Sequence, residues 1–168
     1  KSEAEEISFI YNQPLWLVNL WIKEMGKDKT VDLCAWFNEQ PRLTARINTV
    51  KVSIEDCLKE LVDLGWIVEQ DKRIPEAVYV DGHQGYLEKA KPVLEGHITF
   101  MDKASMLVAH VVDPQPGERI LDCCAAPGGK SMHMASLMNN TGAIMSCDIY
   151  DHKLNLMNQN AERLGVSI

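Results

Sequence analysis

The stretch "ILDCCAAPGGKSMH", residues 120–133, decides how the rest of the chain is read. Ile120 and Leu121 carry an apolar strand signal, Ala125, Ala126, Gly128 and Gly129 make a small-residue turn, and Lys130 onward reads as a helix. A strand that runs through such a turn into a helix brings backbone amides up to a ligand. Three ligand classes compete for it. A dinucleotide loop needs G-x-G-x-x-G, and only the adjacent pair Gly128 and Gly129 is present. A phosphate-cradling P-loop needs G-x-x-x-x-G-K-[ST]; Gly129, Lys130 and Ser131 fit its end, while Cys124 stands where its first glycine belongs. S-adenosyl-L-methionine has no phosphate. It asks for small residues where its methionine and ribose portions pass the backbone, and for helix-start amides to receive its carboxylate.

That third ligand also calls for an acid at the end of the next strand, about 20 residues on, to accept hydrogen bonds from ribose hydroxyls. Asp148, in "IMSCDIY", stands twenty residues after Gly128. A Walker-type lysine loop predicts no acid there, so the spacing favours the adenosyl ligand over the nucleotide. The expected binding set is Cys124, Ala125, Ala126, Pro127, Gly128, Gly129, Lys130 and Asp148. Each residue also has a plainer reading. Asp148 could cap the following helix, and Lys130 could be a solvated lysine, although its charge opposes the helix dipole. Asp122 could face the charged end of the ligand or brace the loop. Cys123 and Cys124 are expected to pack as small apolar residues with at most one turned to ligand. His133 is expected at the surface or the core edge and is given no role.

Outward from the loop, residues 102–168 read as helix, strand, loop, helix, strand, helix, the opening of a doubly wound parallel sheet. The chain stops at "VSI", where a third strand would begin, which suggests an internal slice of a longer protein. Residues 42–101 alternate strand and helix signals in the order β-α-β-β-α-β, a ferredoxin-like or RRM-like α+β unit. Its first strand, "LTARIN", puts Leu43, Ala45 and Ile47 on one face and Thr44, Arg46 and Asn48 on the other. The second face reads as solvated, which makes Arg46 and Asn48 candidate RNA contacts, with Arg42, Lys51, Lys72 and Arg73 adding charge nearby. No RNP1-like aromatic signature accompanies them. "SIEDCLKELVDLG" is a helix that opens on Ser53 and stops at Gly65, and Pro92 should end or kink the helix that begins in "GYLEKAKPVLEG". Residues 1–41 read as a helical linker. Pro14 opens a helix carrying Leu15, Leu17, Val18, Trp21, Ile22 and Met25 at helical spacing, Gly26 stops it, and a second runs from about Val31 to Asn38. Trp16, Trp21 and Trp36 are expected in the core rather than as base-stacking platforms.

Composition bounds the partners. The net charge of −7 argues against gripping nucleic acid by bulk electrostatics, without excluding a local basic stripe. Five cysteines, an odd number with no C-x-x-C spacing, argue against a disulfide framework and fit reduced thiols in the cytoplasm. No Cys/His cluster has metal-ligand spacing, and no apolar run reaches the roughly 18 to 20 residues of a membrane span, so neither metal nor membrane is expected.

The residues "LDCCAAPGGK" closely resemble motif I of the Fmu/Sun family of RNA cytosine-5 methyltransferases, L-D-x-C-A-A-P-G-G-K-[ST]. "PLWLVNLWIKEMG", "PRLTARIN", "DKASMLVAHVVDPQPGERILD" and "DIYDHKLNLMNQNAERLG" agree with it, so the resemblance covers residues 12 to 166 and is most like the bacterial Sun branch, which modifies small-subunit ribosomal RNA. One departure is Met101 before Asp102, where many relatives carry glutamine. The resemblance implies a cysteine thiolate that adds to C6 of cytosine so that C5 can take the methyl group, and a second cysteine that assists product release. In the family these follow threonine and proline respectively; no Thr-Cys or Pro-Cys pair occurs here, so no catalytic residue is expected in this chain. Cys123 and Cys124 lie beside the cofactor loop, with no activating neighbour in sequence, and are not assigned that part.

The expected architecture is therefore α/β: a helical linker (1–41), a small ferredoxin/RRM-like α+β unit (42–101), and the first half of a Rossmann-like S-adenosylmethionine-dependent methyltransferase domain (102–168). The expected activity is an RNA cytosine-C5 methyltransferase, with ribosomal RNA as substrate, inactive as this slice. Two other readings stay open, a P-loop NTPase fragment and a non-catalytic RNA-binding module.

Overall fold

The computed structural model describes residues 2–83 and 85–168. They fall into two compact units, divided between Pro41 and Arg42. The first holds three helices, α1 (Glu3–Ile10), α2 (Leu15–Met25) and α3 (Lys27–Phe37). α1 opens on a reciprocal cap: the Glu5 amide donates to Ser2 Oγ at 3.2 Å and the Ser2 amide to Glu5 Oε2 at 2.6 Å. Gly26, at φ +86°, ends α2 and starts α3, a backbone state glycine takes without strain. The helices meet on Ala4, Ile7, Val18 and Cys34. So small a core covers one stripe of each helix, which corrects the tryptophan expectation. Trp21 is half-buried and stacks on Phe37 at 5.7 Å, but Trp16 and Trp36 are 69% and 62% exposed.

The second unit begins with an antiparallel sheet of order β2-β3-β1-β4, made from β1 (Leu43–Ile47), β2 (Ile67–Gln70), β3 (Ala77–Gly82) and β4 (Ile98–Phe100). This is the strand order of a split βαβ unit. Between β1 and β2, α4 (Ile54–Asp63) opens with Ser53 Oγ accepting from the Asp56 amide at 3.1 Å. It turns Cys57 and Leu61 onto Ala45, Ile47, Val78, Val80 and Ile98. Pro92 corrects another expectation. It sits in the first turn of a new short helix, α5 (Lys91–Leu94), where its missing N–H costs nothing, after a 3₁₀ turn at Leu87–Lys89.

The chain continues through α6 (Lys103–Val112), β5 (Arg119–Asp122), α7 (Gly129–Leu137), β6 (Ala143–Ser146) and α8 (Asp151–Leu164). β5 and β6 are parallel, with Ile120 opposite Ile144 and Asp122 opposite Ser146. Met132, Met134 and Ala135 of α7 and Met138 at its C-cap share a core with Ile144 and with Met157, Ala161 and Leu164 of α8. The other face of this strand pair is open, with Leu121 and Met145 60% and 62% exposed beside Ile168. The two sequence regions of this unit share one buried face: Met106 of α6 packs on Ile74 and Ala77. Among the described residues no helix is long and apolar enough to cross a membrane.

Candidate functional site at the β5–α7 loop

Two carboxylates brace the loop that follows β5. Asp122, at the strand's end, accepts from the Cys124 amide at 3.2 Å and from Ser131 Oγ in α7 at 2.7 Å. Asp148, two residues past β6, accepts from the Ala126 amide at 3.2 Å through one oxygen and from the Tyr150 amide at 3.2 Å through the other. Backbone bonds carry the parallel ladder past the strand ends, from the Cys147 amide to Asp122 O at 2.8 Å and from the Ala125 amide to Cys147 O at 2.9 Å. The sequence-predicted residues Cys124–Lys130 and Asp148 are thus brought together at the C-terminal ends of two parallel strands, where open α/β sheets present ligands. Asp148 does not cap α8, whose N-cap is Tyr150.

The loop turns at the cis Ala126–Pro127 bond and at Gly128, whose φ is +95° and which caps α7 without any side-chain hydrogen bond. The amides of Gly129, Lys130 and Ser131 therefore open the helix free of a side-chain acceptor. A Cβ on Gly129 would clash with nothing and would make an ordinary contact with Met101 at 3.8 Å. Lys130 is exposed, and Lys153 Nζ lies 3.9 Å from Asp148. Cys123, Cys124 and Cys147 are exposed free thiols, so neither member of the Cys123–Cys124 pair packs inward as expected.

Arg46 and Asn48 require a correction. The face expected to meet solvent is covered by α6, α7 and α8, and both residues are 0% exposed. Arg46 Nη1 donates to Ser136 Oγ of α7 at 3.2 Å, and Asn48 Nδ2 donates to Gly96 O and Leu164 O, each at 2.8 Å. Neither can touch an RNA in this fold. Lys51 is engaged as well, donating to Glu95 O at 2.8 Å and Arg163 O at 2.6 Å. Arg42 is held by Asp81 and Glu69 and lies 4.0 Å from the centre of the Tyr79 ring. Its hydrogen bonds to those two acids raise its already high pKa.

The same covered face holds a group that sequence reasoning missed. Glu76 Oε1 lies 2.6 Å from Nε2 of both His110, on α6, and His133, on α7. Burial works to raise the Glu76 pKa, but bonds from His133, its own backbone and His110 outweigh it and hold it at about 2. Burial lowers the His133 pKa below its ordinary value, although Glu76 pulls the other way. Burial also lowers Arg46, to about 10, with Glu76 opposing and Arg163 reinforcing the shift. The two histidines lie 34 and 57 positions from Glu76, so no local motif announces the group.

The chain is similar to known proteins of one family. Residues 109–168 match a family model described as 16S rRNA methyltransferase RsmB/F, and residues 13–85 match the ferredoxin-like domain of Methyltr_RsmF/B-like proteins. The "Probable ribosomal RNA small subunit methyltransferase B" of Synechocystis is 35% identical over 157 residues, 94% of this chain and 35% of the relative. The protein of the same description from Bacillus subtilis gives the same figures. The chain therefore spans about a third of the length of these curated relatives. Among solved structures, "Crystal Structure of PH0851" superposes with a TM-score of 0.90 at 32% identity, over 100% of this chain and 38% of that one. Both matching models describe RsmB/F proteins, one for the ferredoxin-like part and one for the methyltransferase part, and the chain belongs to the RsmB/F family of RNA methyltransferases.

Proposed function

We propose that the loop Cys124–Lys130 and Asp148 bind S-adenosyl-L-methionine, and that the whole protein uses it to methylate C5 of a cytosine in RNA, with small-subunit ribosomal RNA as the substrate. One observation carries the reading: the Asp148 carboxylate is tied to the Ala126 amide, so acid and loop present themselves as one site. The residues fit the ligand. Asp148 is placed to accept from ribose hydroxyls. The uncapped first turn of α7 and Lys130 are suited to a carboxylate, and the absence of a side chain at Gly129 lets a ligand lie close to the backbone. When bound, the sulfonium supplies an electrophilic methyl group; this chain's residues hold and orient it. The relatives' descriptions as ribosomal RNA methyltransferases support the substrate class, and free thiols throughout suit a cytoplasmic setting.

The P-loop reading fares worse on one particular. It needs the Ser131 hydroxyl for a magnesium ion, whereas that hydroxyl is buried and donates to Asp122. Calorimetric titration of the chain with S-adenosylhomocysteine, and separately with ATP and magnesium, tests the proposal. Binding of the adenosyl ligand alone is expected, weakened about tenfold, or roughly 1.4 kcal/mol, by Asp148→Asn. Binding of ATP alone, or an Asp148→Asn variant with unchanged affinity, rejects it.

A further inference from the structure

Glu76, His110 and His133 draw three layers of the second unit together beneath the loop. Glu76 precedes β3, His110 lies on α6, and His133 lies one turn into α7, the helix whose first residues end the loop. The two imidazole rings stand edge to face, 5.5 Å apart at 79°. Every charge around the cluster can be named. Arg46 comes from β1, Glu76 from the turn before β3, the two histidines from α6 and α7, and Arg163 of α8 is the next cation outward. Ser136 is the neutral neighbour on α7, bonded to Arg46, to Met132 O and to Asn48.

Proton bookkeeping fixes the state of this group. An ionised Glu76 that accepts from both rings requires each ring to carry its hydrogen on Nε2. The Nδ1 atom of His133 is buried without a partner. As a bare lone pair this is tolerable, but as an N–H it is a buried donor left unmade. Arg46 is fully buried with Nε and Nη2 unpaired, so its charge leans on Glu76. With neutral rings, Arg46 and Glu76 cancel. A proton added to His133 puts a second positive charge beside Arg46 and an unpartnered N–H into the core. A divalent cation on the same three ligand atoms, which lie within 4.8 Å of one another, would add still more charge there.

We propose that Glu76, His110 and His133 form a proton-sensitive clasp that positions α7, and with it the loop Cys124–Lys130, against the four-stranded sheet. His133 acts through the helix and is a positioning residue, touching no ligand. The functional part of this inference rests on the cofactor reading above; the clasp does not. Since burial lowers the His133 pKa, the clasp is whole above the ordinary histidine value near 6.5 and is lost as pH falls below it.

Nuclear magnetic resonance of the full chain between pH 7.5 and 5.5 tests the clasp without any ligand. The His133 ring is expected as the neutral Nε2–H tautomer at pH 7.5. The amide resonances of Gly128 and Gly129 should move with the midpoint of the ring. His133→Gln, whose amide can still donate to Glu76, should abolish that movement while leaving the fold at pH 7.5 intact; if it does not fold, agreement of the glycine and ring midpoints in the parent decides. S-adenosylhomocysteine affinity should weaken about fivefold from pH 7.5 to 5.5 in the parent and stay level in His133→Gln. Glycine amides that ignore the His133 midpoint, or that shift equally in the glutamine variant, overturn the clasp. So does a rise in melting temperature on adding zinc that His133→Gln abolishes, which would make the cluster a metal site. A chain that binds no adenosyl ligand at any pH defeats the cofactor reading alone, because the ring and amide shifts still decide the clasp.

Discussion

Gly128 and Gly129 are adjacent, yet they answer different physical demands. Gly128 sits at φ +95°, and a Cβ there would fall 2.5 Å from Met132 Cε. Gly129 is helical, and its Cβ would make only an ordinary contact, with Met101 at 3.8 Å. The two substitutions should therefore separate stability from binding. Gly128→Ala is expected to destabilise the second unit by about 1–2 kcal/mol, the cost of a left-handed alanine. Gly129→Ala should leave stability level or raise it by up to about 1 kcal/mol, because alanine is the better helix former. It should nevertheless weaken S-adenosylhomocysteine binding by filling the space beside the backbone. Urea unfolding and calorimetry of both variants read this out. A Gly129→Ala protein with parental affinity would place the ligand elsewhere.

At the scale of elements, side-chain bonds to backbone hold α8 to the sheet. Asn48 Nδ2 serves Gly96 O and Leu164 O together, and Arg163 Nη1 donates back to Val93 O at 2.7 Å. Asn48→Ala strips both carbonyls of a buried donor and should cost about 2–3 kcal/mol by urea unfolding. Fast amide exchange at the C-terminal end of α8 should accompany it, and a loss below about 0.5 kcal/mol would show that Asn48 does not anchor the helix. These attachments also mark where the sequence ceases to be legible. The run from Ile120 to His133 announced strand, loop and helix because each needs a local pattern: apolar residues, then small ones, then helical spacing. The alternation in "LTARIN" likewise gave β1 its two faces. Alternation separates faces without saying which of them a later element will cover. The covering helices stand about 60 to 120 residues downstream, and Arg46 and Asn48 look like solvated residues until Ser136 and Leu164 arrive. His133 was obscure for the same reason, since its partner is 57 residues away. Asp148 was legible because its distance from the glycines is set by one helix and one strand.

On the scale of the whole molecule, the second unit carries its polar cluster where a second hydrophobic core would otherwise sit. One face of the sheet packs apolar against α4, and the other sets Arg46, Asn48 and Glu76 against α6, α7 and α8. A buried ionised network of this kind makes stability depend on pH with a definite sign. Glu76 falls from an ordinary 4.5 to about 2 in the fold, so its contribution is complete above pH 4.5 and drains away as pH drops towards 2. A depression of that size corresponds to about 3 kcal/mol. Glu76→Gln removes this titration and strands Arg46, so it should be markedly less stable than the parent at pH 6. The gap between the two should then narrow by up to about 3 kcal/mol as pH is lowered through 4.5 towards 2, because the parent alone loses a charge there. Urea midpoints of parent and variant at pH 6, 4.5 and 3 measure the gap, and a difference that stays constant over this range would mean that Glu76 is not the carboxylate supporting the Arg46 charge.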